Sequence, residues 1–382
     1  MELDLAVVDA TSYNYPPADQ TEMARQFTDA GVRIWLADQT LSWFPDGLWR
    51  PELAPIASEW RQNAFWDVYS LGGYLAGAVP GSSFLFSLDA VRRGPDVLSQ
   101  LMLTLHELTG GRAVFALGAG EIKQLAPFGY EAPKPLTRLE ETLRAIRDLW
   151  SRDEPFGFEG KTMTLTNAHL GTRATDGQTP PIFVVGAGPK LMEIGARYAD
   201  GIMVPGVPSV LEQTIATVRG NAESFGRDPD EITFWGGNPL GMVMTYDTEE
   251  ERERLAAAPI TRFIAAAFGR LHASDWVKEG LHSPLGDDWH YAKDLISTEW
   301  PTERVQKVID EVPDEMVEKG VLWWTVEDVA AHLAQSSSLG VSMLSWMDWC
   351  AFADPSQRWA STDRSIRAYQ RAKKLLASRT AT

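Results

Sequence analysis

The residues with the most chemical potential follow a short apolar run. In Gly110–Tyr130, GGRAVFALGAGEIKQLAPFGY, five apolar residues from Ala113 to Leu117 end on Gly118, Gly120 and Glu121, with Lys123 and Gln124 just beyond. Glycines at the end of a strand let a large ligand approach the backbone. A carboxylate beside them can give or take a proton when burial tunes it. Taken alone, Glu121 also reads as a solvated loop residue.

A second cluster, VVGAGPKLMEIG, places Gly186, Ala187, Gly188 and Pro189 at a strand-to-helix turn. Backbone amides at such a turn can hold an anion, though glycine can serve a tight turn for steric reasons alone. A dinucleotide fingerprint fits poorly. Gly195 stands too far on, and the next apolar run ends IMVPG without an acid to hold a ribose.

Other chemistries find no support. His106–Leu108 lacks the second histidine of a zinc-protease helix, no Cys/His cluster suits zinc, and no Gly-x-Ser-x-Gly elbow occurs. His169, His282 and His290 read as loop residues. Cys350 is the single cysteine, so no internal disulfide is possible.

These residues need a frame to bring them together. Leu3–Ala10, Gly31–Asp38, Ser82–Ala90 and Arg112–Gly118 read as four strands. Helices follow them: near Asp19–Ala30, capped by Thr21 or Asp19; at Pro95–Leu108; and at Pro135–Trp150, with Leu139, Leu143, Ile146 and Trp150 on one face. Four further strands lie in PPIFVVGAG, DGIMVPG, EITFWGGNPLGMVM and SMLSWMDW. Near-continuous apolar strands alternating with helices imply a parallel sheet covered on both faces. Eight such units give an α/β fold, a (β/α)8 TIM barrel with insertions, over 1–382 as one domain. Residues 248–335 hold too many helical stretches for one crossover. They read as a helical insertion between strands seven and eight, either a wall of the substrate pocket or a packing element.

In a barrel, chemistry sits at the C-terminal ends of the strands. Those positions are Asp38 and Gln39, with Trp43 and Phe44 behind them; Ser87, Leu88 and Asp89; Gly118 to Gln124; Gly186 to Pro189; Trp235 to Asn238; and Asp348 with Trp349. The chain has 15 tryptophans. Trp43, Phe44, Trp49, Trp66, Trp235 and Trp349 are candidates for an apolar pocket or for ordinary core.

Composition narrows the partners. With 52 acidic against 35 basic residues the formal charge is −17, which disfavours nucleic acid and anionic lipid. The first residues carry acids rather than a basic lead into an apolar run, and no stretch suits a bilayer span. A cytoplasmic protein acting on a small molecule is expected.

The run LTLHELTGGRAVFALGAGEIKQLAPFGYEAPKPLTRLEETLRAIRDLW resembles the signature region of the bacterial luciferase-like flavin and deazaflavin oxidoreductases. PPIFVVGAGPKLMEIGARYADGIMV is similar to that family's fifth-strand segment. The order DQTLSWF, SLDAVRRGP, GAGE, GAGP matches the branch that uses coenzyme F-420, a deazaflavin. Within that branch the whole chain, including EGLHSPLGDDWHYAKDLI, resembles a mycobacterial phthiodiolone ketoreductase group.

The resemblance implies a cofactor site. Asp38 and Gln39 match a dipeptide beside the deazaflavin ring. Ser87, Leu88 and Asp89 match a strand end that relatives often bend with a non-proline cis peptide. Gly120 and Glu121 match a glycine and a catalytic glutamate, and Gln124 a polar residue reaching the cofactor tail. Gly186, Ala187, Gly188 and Pro189 match the phosphate-holding turn, and Trp43 an aromatic shaping the active site.

Two departures stand out. Relatives often carry histidine where this chain has Gln39, which cannot hold a proton at neutral pH. MVPGVPSV offers no lysine for a sugar phosphate, so glucose 6-phosphate is not the expected substrate.

The resemblance thus implies hydride transfer between reduced deazaflavin and a ketone or other electrophilic carbon of an apolar substrate, without a metal. Glu121 is the first candidate for the proton and Asp38 the second, with Gln39 orienting the oxygen. The alternatives are an FMN-dependent monooxygenase on the same barrel, or a deazaflavin-binding protein without catalysis. A homodimer is expected.

Overall fold

The computed structural model describes residues 3–8, 15–236, 242–270 and 272–380. Twelve strands occur among them: β1 (Asp4–Val8), β2 (Arg33–Ala37), β3 (Phe84–Asp89), β4 (Ala113–Gly118), β5 (Phe156–Glu159), β6 (Thr164–Ala168), β7 (Ile182–Val184), β8 (Gly201–Val204), β9 (Thr233–Gly236), β10 (Met242–Thr245), β11 (Val321–Trp324) and β12 (Met343–Met347). Eight of them close a parallel barrel in the order β1-β12-β9-β8-β7-β4-β3-β2. The eight barrel strands expected from the apolar runs are these eight. Asp9 and Ala10, read as the end of the first strand, and Gly237 and Asn238 lie outside the described residues.

Strand alternation builds two layers of core. Outward residues such as Ile34, Leu36, Phe84, Phe86, Phe115, Leu117, Val184 and Ile202 pack under the surrounding helices. Inward residues, among them Ala6, Leu85, Ala116, Phe183, Trp235 and Met343, fill the barrel. Helix Pro135–Ser151 shows how the outer layer forms. Its Leu139, Leu143 and Ile146 are fully buried and Trp150 nearly so, as the 3.6-residue period requires. Each such side chain contributes about 1.5–3 kcal/mol by leaving water.

Several local readings are corrected. The first helix runs Pro17–Ala30, with Pro16 at its cap and no side-chain cap bond. Thr21 Oγ1 donates back to Pro17 O at 2.8 Å, and Asp19 takes Arg358 at 3.1 Å, so neither caps the helix. A proline at the first helical position needs no amide partner, which is why the helix starts there. The helical stretches expected in 248–335 include Glu249–Ala257 and Pro259–Phe268, which are separate because Pro259 cannot continue the first. The stretch expected to contain the seventh barrel strand does so, and holds a second strand besides. β9 joins the barrel, while β10 pairs with β11 in a separate parallel pair, Met242↔Val321 to Thr245↔Trp324. A hairpin of β5 and β6, not marked by periodicity, follows helix Pro135–Ser151.

The long departure between β9 and β12 contributes to two cores. Helix Val326–Ser338 buries Val329, Ala330 and Leu333 in the layer around the barrel. Helices Pro259–Phe268 and Thr302–Glu311, with Trp276, Trp289 and Trp300, build a second cluster. That cluster also takes Phe44, Leu48 and Trp60 from the loop after β2, and Trp349, Cys350 and Phe352 after β12. It stands beside the C-terminal end of the barrel, since those loops leave that end.

Candidate active site

Alternation decides which residues at the strand ends face inward. On β2, Trp35 and Ala37 point into the barrel, while Ile34 and Leu36 point out. The neighbouring registers Ala37↔Ser87 and Ser87↔Ala116 set three small residues side by side across β2, β3 and β4. Ser87 is half-buried, whereas Ala37 and Ala116 are enclosed, so of the three Ser87 is the one open toward the mouth. Below it the interior turns aromatic. Trp35 meets Trp235 edge-on at 5.7 Å, and its indole N–H donates to Ser87 Oγ. The barrel has a filled floor and a flat, small-residue ledge above it.

The turn after β4 supplies charged and polar groups to the mouth. Gly120 has φ +95°, and a Cβ there would lie 2.8 Å from Leu125 Cδ1, so the position requires glycine. Glu121 follows and opens the short helix Ile122–Leu125. The side chain of Lys123 is 1% exposed. Its ammonium donates to Gln39 Oε1 and lies 2.8 Å from Glu121 Oε2. Its Nζ also sits 5.2 Å from the centre of the Trp43 ring. Burial pushes the Lys123 amine below the ordinary lysine range, while Glu121 pulls it back up. Sequence reasoning placed Lys123 in this turn but gave it no role. Nothing in the spacing says that a side chain on so short a helix folds inward.

Gln39 and Gln124 form the rest of the cluster. Gln124 Nε2 donates to Gln39 Oε1 at 2.6 Å and to Leu41 O at 2.7 Å; its Oε1 accepts from Thr40 N at 2.7 Å and Leu41 N at 3.3 Å. Both ends of this amide are occupied within the chain. Gln124 clamps the loop after β2. Gln39 differs. Two donors fix its Oε1, and among the described residues its amide nitrogen has no hydrogen-bond partner. That N–H2 is oriented and available.

Asp38 lies on the other face of its strand end. Its carboxylate takes Arg93 at 2.6 Å, Tyr69 Oη at 2.9 Å and Arg92 at 3.1 Å. Burial and the Asp38 charge push the Tyr69 phenol far up, so it stays protonated and donates. Asp89 accepts from Val91 N at 2.9 Å and Arg92 N at 2.8 Å, and its second oxygen binds the Arg92 guanidinium. Leu88 is buried in the outer layer. Among the described residues no peptide bond is cis, Ser87–Leu88 included. The structure therefore brings Gln39, Ser87, Gly120, Glu121 and Trp43 to the mouth of the barrel. It uses Asp38, Leu88, Asp89 and Gln124 to build the wall behind them. Tyr69, Arg92 and Arg93 belong to that wall and had no signal in the spacing.

The Gly186–Pro189 turn leaves β7, the neighbour of β4. Gly188, at φ +102°, precedes helix Pro189–Tyr198, and no side chain caps its first amides. A Cβ on Gly188 would meet nothing within 4 Å, so the turn opens onto free space. Uncapped amides, the positive helix end and an open approach suit an anionic group. The expected deazaflavin fits these residues: Gly186 to Pro189 would hold its phosphate tail, and the Ala37–Ser87–Ala116 shelf its ring. Among the described residues no group of His, Cys, Asp and Glu could hold a metal.

The aromatic candidates divide. Trp43 is half-buried at the mouth, 6.4 Å from Trp349. Phe44, Trp49 and Trp349 belong to the second cluster, Trp235 is the barrel floor, and Trp66 is exposed with its indole on Tyr15 O at 3.2 Å. The segment before β11 adds one more group. Helix Tyr291–Asp294 packs against helix Ile122–Leu125. Burial and the Glu121 charge push the Tyr291 phenol up.

The chain matches the family model described as luciferase-like monooxygenase over residues 4–343. It is 29% identical over 324 residues to a phthiodiolone/phenolphthiodiolone dimycocerosates ketoreductase of Mycobacterium tuberculosis, covering 83% of each chain. It is 27% identical over 319 residues to an F420-dependent glucose-6-phosphate dehydrogenase of Nakamurella multipartita, covering 81% of this chain and 84% of the relative. Among solved structures, an F420-dependent secondary alcohol dehydrogenase in complex with an F420-acetone adduct superposes with a TM-score of 0.69 at 18% identity, over 97% of this chain and 99% of that one. The coenzyme F420-dependent tetrahydromethanopterin reductase of Methanopyrus kandleri gives 0.67 at 16% identity, over 98% and 100%. The closed barrel, the glycine turns at its mouth and the match along nearly the whole chain lead to one assignment: the protein belongs to the luciferase-like monooxygenase family.

Proposed function

We propose that this protein is an oxidoreductase of the coenzyme F-420 branch, reducing a ketone of an apolar substrate or oxidising the corresponding alcohol. The observation that carries the reading is the Gln39–Lys123–Glu121 cluster standing over the small-residue shelf. The two relatives named for ketone and F420-dependent sugar chemistry support it.

When bound, the deazaflavin supplies or accepts a hydride. The chain's own residues do the rest. The amides after Gly188 bind the anionic tail. Ser87, flanked by the enclosed Ala37 and Ala116, is the strand-end position against which the ring would lie. Gln39, locked by its two donors, offers its amide N–H2 to the substrate oxygen. Trp43, its ring centre 5.2 Å from the Lys123 ammonium, adds an apolar wall to the mouth that limits water there, which strengthens the charges. The Glu121–Lys123 pair holds the proton that a carbonyl oxygen needs as it becomes a hydroxyl. Asp38 lies outside this path, since its carboxylate is spent on Arg92, Arg93 and Tyr69.

The absence of a sugar-phosphate lysine after β8, in MVPGVPSV, speaks against glucose 6-phosphate as substrate. Anaerobic titration of the purified chain with oxidised F-420 and with FMN tests the reading. Saturable binding of F-420, seen as a change in its single violet absorption band, with weaker FMN binding, is the expected result. Preference for FMN would favour a monooxygenase. Tight F-420 binding without turnover of any ketone or alcohol would favour a carrier.

A further inference from the structure

In the deazaflavin ketone reduction proposed above, on which this inference rests, we propose that Lys123 is the group that protonates the substrate oxygen, with Glu121 restoring the proton from solvent. The argument begins with what position 39 lacks. Gln39 stands inward at the mouth, yet an amide carries no transferable proton near neutrality. The structure delivers an acid to the same spot from another strand end. Lys123 Nζ contacts Gln39 Oε1 directly, so the ammonium and the Gln39 amide address the same place.

The geometry suits a proton donor. Of the three N–H bonds of the ammonium, one meets Gln39 and one meets Glu121. The third has no hydrogen-bond partner among the described residues. The side chain is enclosed, but its partner is not: the Glu121 side chain is 31% exposed. Glu121 can therefore take a proton from water and pass it across 2.8 Å to the amine. The charged groups around Lys123 are Glu121, which favours the ammonium, and Arg92, which opposes it; burial opposes it further. Tyr291 lies against Glu121 from the facing helix.

The step balances. The deazaflavin, when bound, would supply the hydride, its C–H bond breaking as a C–H bond forms at the carbonyl carbon and the C=O π pair goes to oxygen. One N–H bond of Lys123 breaks as the O–H bond forms, leaving a neutral amine. Glu121 then returns a proton relayed from water. The alcohol-to-ketone direction runs the same events backward, with the neutral amine as base.

The first test needs no turnover. In the cofactor-free protein, lysine side chains labelled with 13C at Cε are titrated by NMR, and the Lys123 signal is identified by its loss in Lys123→Met. The expected midpoint lies below that of an ordinary lysine, about 10.4, and falls further in Glu121→Gln. A midpoint at or above the ordinary value overturns the proposal, because such an amine is a locked structural cation.

The second test uses Lys123→Arg, which keeps the charge beside Glu121 but cannot release a proton. With reduced F-420 and 2-nonanone as probes, it should bind F-420 within about threefold of the unchanged chain and lose at least about a hundredfold in turnover. Addition of methylamine to Lys123→Ala should restore part of the rate. Undiminished turnover in Lys123→Arg overturns the role of Lys123 and leaves the deazaflavin reading standing. Failure of the unchanged chain to bind F-420 overturns both, and is seen separately in the binding titration.

Discussion

The Asp38 carboxylate lies 2.6 Å from the Arg93 guanidinium, while Gln39, the next residue, gives its side-chain oxygen to Lys123 inside the barrel mouth. One peptide unit separates the Asp38–Arg93 ion pair from the Gln39–Lys123–Glu121 cluster. The half-turn per residue of an extended chain is the cause.

Replacing Asp38 tests that division. Asp38→Ala leaves Arg92, Arg93 and the Tyr69 hydroxyl without their shared acceptor in a nearly enclosed site. The expected loss is about 3 kcal/mol, the lower end for a broken buried pair because Arg93 is partly solvated. Urea unfolding at pH 7 measures it. A variant of full stability but no turnover would instead make Asp38 a reacting group.

Gly188→Ala should separate binding from folding. At φ +102° an alanine is strained by about 1–3 kcal/mol, but its Cβ touches no protein atom. Its methyl group stands in the open approach to the helix amides. F-420 affinity should fall about tenfold, followed by quenching of the deazaflavin fluorescence, with the unfolding curve shifted only by the strain. Equal affinity in the variant would place the anionic tail elsewhere.

His332 sets part of the acid limb of stability. Burial lowers its pKa from 6.5 to about 4, and its Nε2 is enclosed without a hydrogen-bond partner among the described residues. Above pH 6.5 the ring is neutral in both states and contributes no slope. Between pH 6.5 and 4 the unfolded chain takes up the proton first, so stability falls as pH falls. Below pH 4 the folded ring is protonated too, and this loss stops. The whole window is worth up to about 3 kcal/mol. His332→Gln should flatten it, as read by urea midpoints at pH 7, 5.5 and 4.5. An unchanged acid limb would assign the pH dependence to other groups.

Much of the architecture could be read from the chain. Apolar runs of four to six residues, separated by helices with a 3.6-residue stripe, allow few arrangements other than a closed parallel barrel. What failed was local. Helix Pro17–Ala30 begins on a proline and not at Thr21, and the residues after β9 leave the barrel to pair with β11. The second depends on partners distant in sequence, Val321 to Trp324 for Met242 to Thr245, while the first rests on a local feature, the proline at the first helical position.

The sequence by itself determined the barrel, its order of strands and the glycine turns at its mouth, because periodicity and turn chemistry are properties of neighbouring residues. Only the tertiary structure decided which polar side chains meet there. Lys123 and Gln39 are 84 positions apart, and so are joined by strand register and by the inward fold of a four-residue helix. Asp38, the neighbour of Gln39 on the linear chain, was turned the other way by the pleat.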